Sequence, residues 1–124
     1  MTQEKNAASV LLKETIIEGM TDLKAKDVIC IDLRETDGAV TDFFVICHGD
    51  SSTHIEGVAN SVRKNVLESL GQKPWHFEGK QSKDWVLLDY VDVVAHIFHK
   101  EAREFYDLEG LWADAPFERI EEVK

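Results

Sequence analysis

The apolar residues of this chain change their period several times, and each change marks an element. From Ala7 to Leu23, Leu12, Ile16, Met20 and Leu23 recur at helical spacing, while Lys13, Glu14 and Glu18 fall outside the stripe, which predicts an amphipathic helix. After a polar joint, DVICIDL (Asp27 to Leu33) is rich in β-branched residues and predicts a strand. ETDG (Glu35 to Gly38) predicts a turn, and DFFVIC (Asp42 to Cys47) predicts a second strand, apolar throughout and so central in a sheet. HGDSST then breaks the pattern and offers Asp50, Ser51, Ser52 or Thr53 as a helix cap, with Thr53 and Glu56 spaced as a capping box. The helix that follows places Ile55, Val58, Ala59, Val62, Val66 and Leu70 on one face and stops at Gly71. KPWHFE (Lys73 to Glu78) predicts a short strand, and its Pro74 fits an edge or a strand start. Two more strands, Asp84 to Tyr90 and Asp92 to Phe98, lead into a last helix from His99 or Lys100.

The order α-β-β-α-β-β-β-α predicts one α/β domain over residues 1–115, with a mixed sheet of about five strands flanked by helices. Residues 116–124 are expected to form a loosely held acidic tail. The order is not a regular βαβ alternation, which argues against a doubly wound nucleotide fold.

Composition narrows the function. With 14 basic and 24 acidic residues the chain carries a net charge of −10, which opposes direct readout of nucleic acid and favours a basic protein partner. No apolar run reaches the length of a membrane span, and the N-terminus does not read as a signal peptide. Cys30 and Cys47 lie inside apolar runs without a CxxC pair, so buried free thiols in a reducing, cytoplasmic setting are expected.

Catalytic chemistry finds little support. The Gly49-Asp50-Ser51-Ser52 turn resembles a nucleophile turn, but Asp92 and His96 stand about 13 Å apart on one strand face and form no dyad. Residues 59–66, ANSVRKNV, contain no acid pair to hold two metals, and no Gly-rich phosphate loop is present. His48, His54, His76, His96 and His99 form no metal-binding pattern. No cofactor and no metal are expected.

The block from Trp85 to Trp112 carries the chemistry that remains. Acids interrupt its strands, where core packing alone calls for apolar residues. By alternation Trp85, Leu87 and Asp89 share a face, and Asp92, Val94, His96 and Phe98 share another. If one helix continues through Trp112, Phe105, Leu108 and Trp112 fall within about 60° as a core stripe. His99, Arg103, Tyr106 and Gly110 fall in a separate arc, and Arg and Tyr are residue types favoured at interface centres.

DWVLLDYVDVVAHIF, followed by KEAREFYDLEGLWADA, resembles the signature of the Iojap/RsfS ribosomal silencing factor family. KAKDVICIDL, TDFFVICHGDSSTHIEGVANSV and GQKPWHFEG agree in order, so the resemblance covers about Leu12 to Ala115. It implies a nucleotidyltransferase-like fold without the carboxylates, and no enzymatic activity. It also implies binding to the large ribosomal subunit through large-subunit ribosomal protein fourteen, which obstructs joining of the small subunit and represses translation. Homodimers are plausible in the family. A large-subunit assembly factor and a nucleotidyltransferase-like enzyme remain the alternatives. Carried over by motif position, the partner-binding residues are Trp85, Asp89, Tyr90, Asp92, His96, Arg103, Tyr106 and Leu111. The chain departs from the family pattern at three positions. Val91 stands where glycine is common, which argues against a positive-φ turn there. Gly110 replaces a long basic residue, and Thr53 stands where arginine is frequent.

Overall fold

The structure, a computed structural model, describes residues 2–79 and 84–120, and the side chains of 7–79 and 84–120. Its elements in chain order are α1 (Thr2–Asp22), β1 (Lys26–Asp32), β2 (Phe43–Gly49), α2 (Ser52–Leu70), β3 (His76–Glu78), β4 (Trp85–Asp89), β5 (Val93–His99), α3 (Lys100–Tyr106), α4 (Leu108–Leu111) and β6 (Phe117–Arg119). The strands form one mixed sheet in the order β3-β4-β5-β2-β1-β6. β2 and β5 pair in parallel at its centre, and the other described pairings are antiparallel. The apolar runs of β2 and β5 are buried on both faces, as central strands require. β3, which follows Pro74, forms one edge.

Alternation along the strands sorts their side chains into two cores. Val28, Cys30, Val45, Cys47, Val86, Leu88, Val93, Ala95 and Ile97 point to one face, which α1 and α2 cover with Leu12, Ile16, Met20, Val58, Val62 and Val66. The two helices approach closely at Gly19, where a Cβ would come 2.8 Å from the Val62 Cα. Ser61 Oγ donates to the Gly19 carbonyl across this contact (2.7 Å). The opposite face carries Ile29, Ile31, Ile46 and Phe98, and it is covered by Ala102, Leu108, Trp112 and Ala115.

The structure corrects the sequence reading of the fold at five places, the first being Val91, which does take a positive φ of +74. Of the four candidate caps Ser51 is the one used, its side chain accepting from the His54 N–H (3.1 Å), so the Thr53–Glu56 capping box does not form, while the helix ends on a left-handed Gly71 as expected. Leu23 leaves the α1 stripe because the helix ends at Asp22, and it is exposed. The start of the expected tail joins the sheet instead: Phe117–Arg119 pair with β1, giving six strands rather than five. Residues 121–124 lie outside the described residues. Finally, the last helix does not run through to Trp112. Asp107 takes φ +45 and splits it into α3 and α4, with its carboxylate accepting from the Gly110 N–H (3.2 Å). Phe105, expected in the core stripe, is 81% exposed on α3, while the break redirects Leu108 and Trp112 to pack against the sheet.

Candidate functional site

The face away from α1 and α2 is only partly covered, and cross-strand register shows what it displays. One row runs His76, Asp89, Val94, Phe44, Ile31 and Phe117 across the sheet; the next runs Glu78, Leu87, His96, Ile46, Ile29 and Arg119. α3 and α4 project from the end of β5 and pack over Ile46 and Phe98. The strip formed by β3, β4 and the flank of α3 therefore keeps Glu78, Leu87, Asp89 and Tyr106 at least partly accessible. Glu78, Asp84, Trp85, Leu87 and Tyr106 line a cleft of about 510 Å³ between the β3–β4 hairpin and α3.

Trp85 organises this strip. Its ring stacks on Phe98 with centroids 4.7 Å apart and lies 4.9 Å from Tyr106. Its indole N–H donates to His96 Nδ1 (3.1 Å). His96 therefore carries its proton on Nε2, which is buried without a partner among the described residues. Phe44 meets the His96 ring edge-on at 4.7 Å. Burial in this aromatic box pushes the His96 pKa down to about 3, so the ring is neutral at physiological pH.

The sequence-predicted residues separate into two groups. Trp85 and Asp89 share the face; His96 points to the same side but lies beneath it, 3% exposed, and so cannot itself contact a partner; Tyr106 flanks the face, and Leu111 stands at the end of α4, 74% exposed. Asp92 sits in the β4–β5 turn, where its carbonyl accepts from the N–H groups of Asp42 (2.9 Å) and Phe43 (3.2 Å). Tyr90 and Arg103 do not join the surface. Tyr90 points to the other face, 5% exposed within the core under α2, because alternation from Asp89 turns it there. Arg103 is 7% exposed. Its guanidinium forks onto Glu109 (2.9 and 3.3 Å) and also donates to His48 Nδ1 (2.9 Å) and, at 3.4 Å, to the Lys26 carbonyl. Burial, and then the guanidinium, hold the His48 pKa below the usual histidine range, consistent with a neutral acceptor. Arg103 thus ties α3 and α4 to the ends of β1 and β2.

Leu87 and Glu78, which line the cleft, were missed by sequence reasoning. Alternation had already placed Leu87 with Trp85 and Asp89. Glu78 joins the site through the pairing of β3 with β4, for which the sequence holds no local signal.

Among the described residues no other chemistry assembles. Ser51 is a helix cap, and the nearby His54 uses its ring nitrogens on the Asp50 N–H (3.1 Å) and the Leu23 carbonyl (2.7 Å). Among the described residues no group of three or more His, Cys, Asp or Glu is placed to hold a metal ion. No helix among them is long and apolar enough to cross a membrane. Cys30 and Cys47 are free and buried, and burial pushes both thiols up to about 12.

The known proteins agree with this architecture. The family model described as ribosomal silencing factor during starvation matches residues 5–124. The ribosomal silencing factor RsfS of Halalkalibacterium halodurans is 37% identical over 112 residues, covering 90% of this chain and 94% of that protein. A crystal structure of a Chromobacterium violaceum protein superposes with a TM-score of 0.77 at 33% identity, covering 82% of this chain and 83% of that one. The mouse mitochondrial assembly of ribosomal large subunit protein 1 is 32% identical over 92 residues, 73% of this chain and 40% of that protein. A six-stranded mixed sheet with helices on both faces, matched in sequence along nearly its whole length, places this chain in the ribosomal silencing factor family.

Proposed function

We propose that this chain is a non-enzymatic translation repressor that binds the large ribosomal subunit and blocks joining of the small one. Docking is through the strip formed by Trp85, Leu87, Asp89 and Tyr106, with Asp92 at its rim, and the footprint extends to the exposed Leu111 at the end of α4. The observation that carries this reading is the strip itself, where aromatic and aliphatic side chains lie among acids on a sheet face that the fold leaves partly uncovered. The net charge of −10 complements a basic ribosomal protein, and large-subunit ribosomal protein fourteen is the candidate that the family resemblance supplies. Occlusion needs no catalytic group, only a footprint that overlaps the subunit interface. His96 acts from beneath, holding Trp85 in place.

Leu111→Asp combined with Tyr106→Ala removes two accessible side chains and leaves the Arg103 tie intact. This variant is expected to fold, to lose co-sedimentation with large subunits, and to stop inhibiting subunit association in light scattering. Undiminished co-sedimentation would sink the proposed face. A second reading, assembly of the large subunit without blocking, is favoured by the name of the mouse relative. It predicts binding to large subunits with no effect on their association.

A further inference from the structure

The tip between β4 and β5 holds a residue that its backbone disfavours. Val91 takes φ +74, a region that a β-branched side chain rarely enters. The Asp92 N–H donates to the Tyr90 carbonyl (2.9 Å), closing a three-residue γ-turn of the strained, positive-φ kind around Val91. The Tyr90 N–H donates to the Val93 carbonyl (2.9 Å), and Asp89 Oδ1 accepts from the Val91 N–H (2.7 Å), so three hydrogen bonds hold this conformation. Glycine would adopt it without steric cost. Burial does not compensate for the strain, since Val91 is 54% exposed. A residue chosen for stability alone would be smaller, and one chosen for packing would be covered.

The position of the tip accounts for both features. Its Asp89 anchor belongs to the docking strip. The Asp92 carbonyl accepts from Asp42 and Phe43, which joins the tip to the loop carrying Val40, itself almost fully exposed. Two exposed valines thus stand on neighbouring loops at one end of the acidic strip. We infer that Val91 is a specificity-determining contact, an isopropyl knob at the rim of the strip that seats in an apolar recess of the basic ribosomal protein on which the strip docks. This rests on the function proposed above. Backbone strain persists where the surrounding structure over-determines it, as the three hydrogen bonds do here, and it collects at sites that hold ligands; a rigid knob at a rim also rejects surfaces that lack the recess, by overlap.

The test uses the full chain, its V91G and V91A variants, and large ribosomal subunits purified from the same organism, with L111D as a control for the strip. V91G releases the strain and removes the knob. Its Tm is expected to rise by roughly 3–6 °C, while its affinity for the subunits weakens by about 5–10-fold. V91A removes the γ-methyls, keeps a positive-φ strain, and is expected to lose affinity without the gain in Tm. A purely structural role would move stability and affinity in the same direction. If the wild type binds and L111D does not, unchanged or tighter binding by V91G overturns this inference and leaves the docking strip standing. An unchanged V91G Tm overturns its premise of strain. A wild type that does not bind, or an L111D that binds normally, removes the functional reading and this inference together.

Discussion

At the residue scale, His96 shows how a polar side chain survives inside an apolar sheet. It is neutral, accepts one hydrogen bond from Trp85, and sits against Phe44 and Phe98. Its folded pKa of about 3 lies below the ordinary value of 6.5, so below pH 6.5 the unfolded chain binds a proton that the native state refuses. The stability this neutrality provides is fully present above pH 6.5 and is lost as pH falls toward 3. Lowering the pH from 7 to 5 is expected to cost about 2 kcal/mol from this group. Urea unfolding at the two pH values measures the loss, and His96→Phe should remove most of it. An unaltered pH dependence in that variant would mean that His96 is not the group responsible. The sequence could place His96 on a face with Asp92. It could not show that the imidazole was boxed in by aromatics, because Phe44 and Trp85 reach it from two other strands.

At the element scale, the short pair α3 and α4 depends on Arg103. A four-residue helix has no stability of its own, since helix nucleation is costly. What holds it is the fork of Arg103 onto Glu109 and the bond from the same guanidinium to His48. Arg103→Ala would leave His48 and Glu109 without their buried partner and is expected to destabilise the fold by about 2–4 kcal/mol. It should also raise amide exchange in Leu108–Leu111 more than in β2. Exchange at Leu108–Leu111 no faster than wild type would refute this role. Arginine in a helix arc beside tyrosine read as an interface residue in sequence, whereas the fold makes it an internal tie. The reason is the left-handed Asp107, which folds α4 back so that Glu109 meets Arg103.

At the scale of the whole molecule, charge and shape act together. A net −10 chain docking on a basic surface should associate faster at low salt. Raising ionic strength from about 50 to 300 mM is expected to slow association with large subunits by roughly tenfold, with a smaller change in dissociation. Stopped-flow measurements would separate the two rates, and a salt-insensitive association rate would exclude electrostatic steering. The division between sequence and structure follows the range of the forces involved. The period of the apolar residues, the Gly71 stop and the fully apolar Phe43–Cys47 run determined the helices, the central strand and the α/β class, because these rest on contacts near in the chain or on simple burial. The pairing of Phe117–Arg119 with β1, the fate of Tyr90 and Arg103, and the convergence of Glu78, Leu87 and Tyr106 around Trp85 were decided by tertiary structure alone. Each depends on which distant strands become neighbours. At Val91 the two levels disagree outright, since a side chain that speaks against a positive-φ turn occupies one, held there as the Val91 N–H donates to the Asp89 carboxylate, the Asp92 N–H to the Tyr90 carbonyl and the Tyr90 N–H to the Val93 carbonyl.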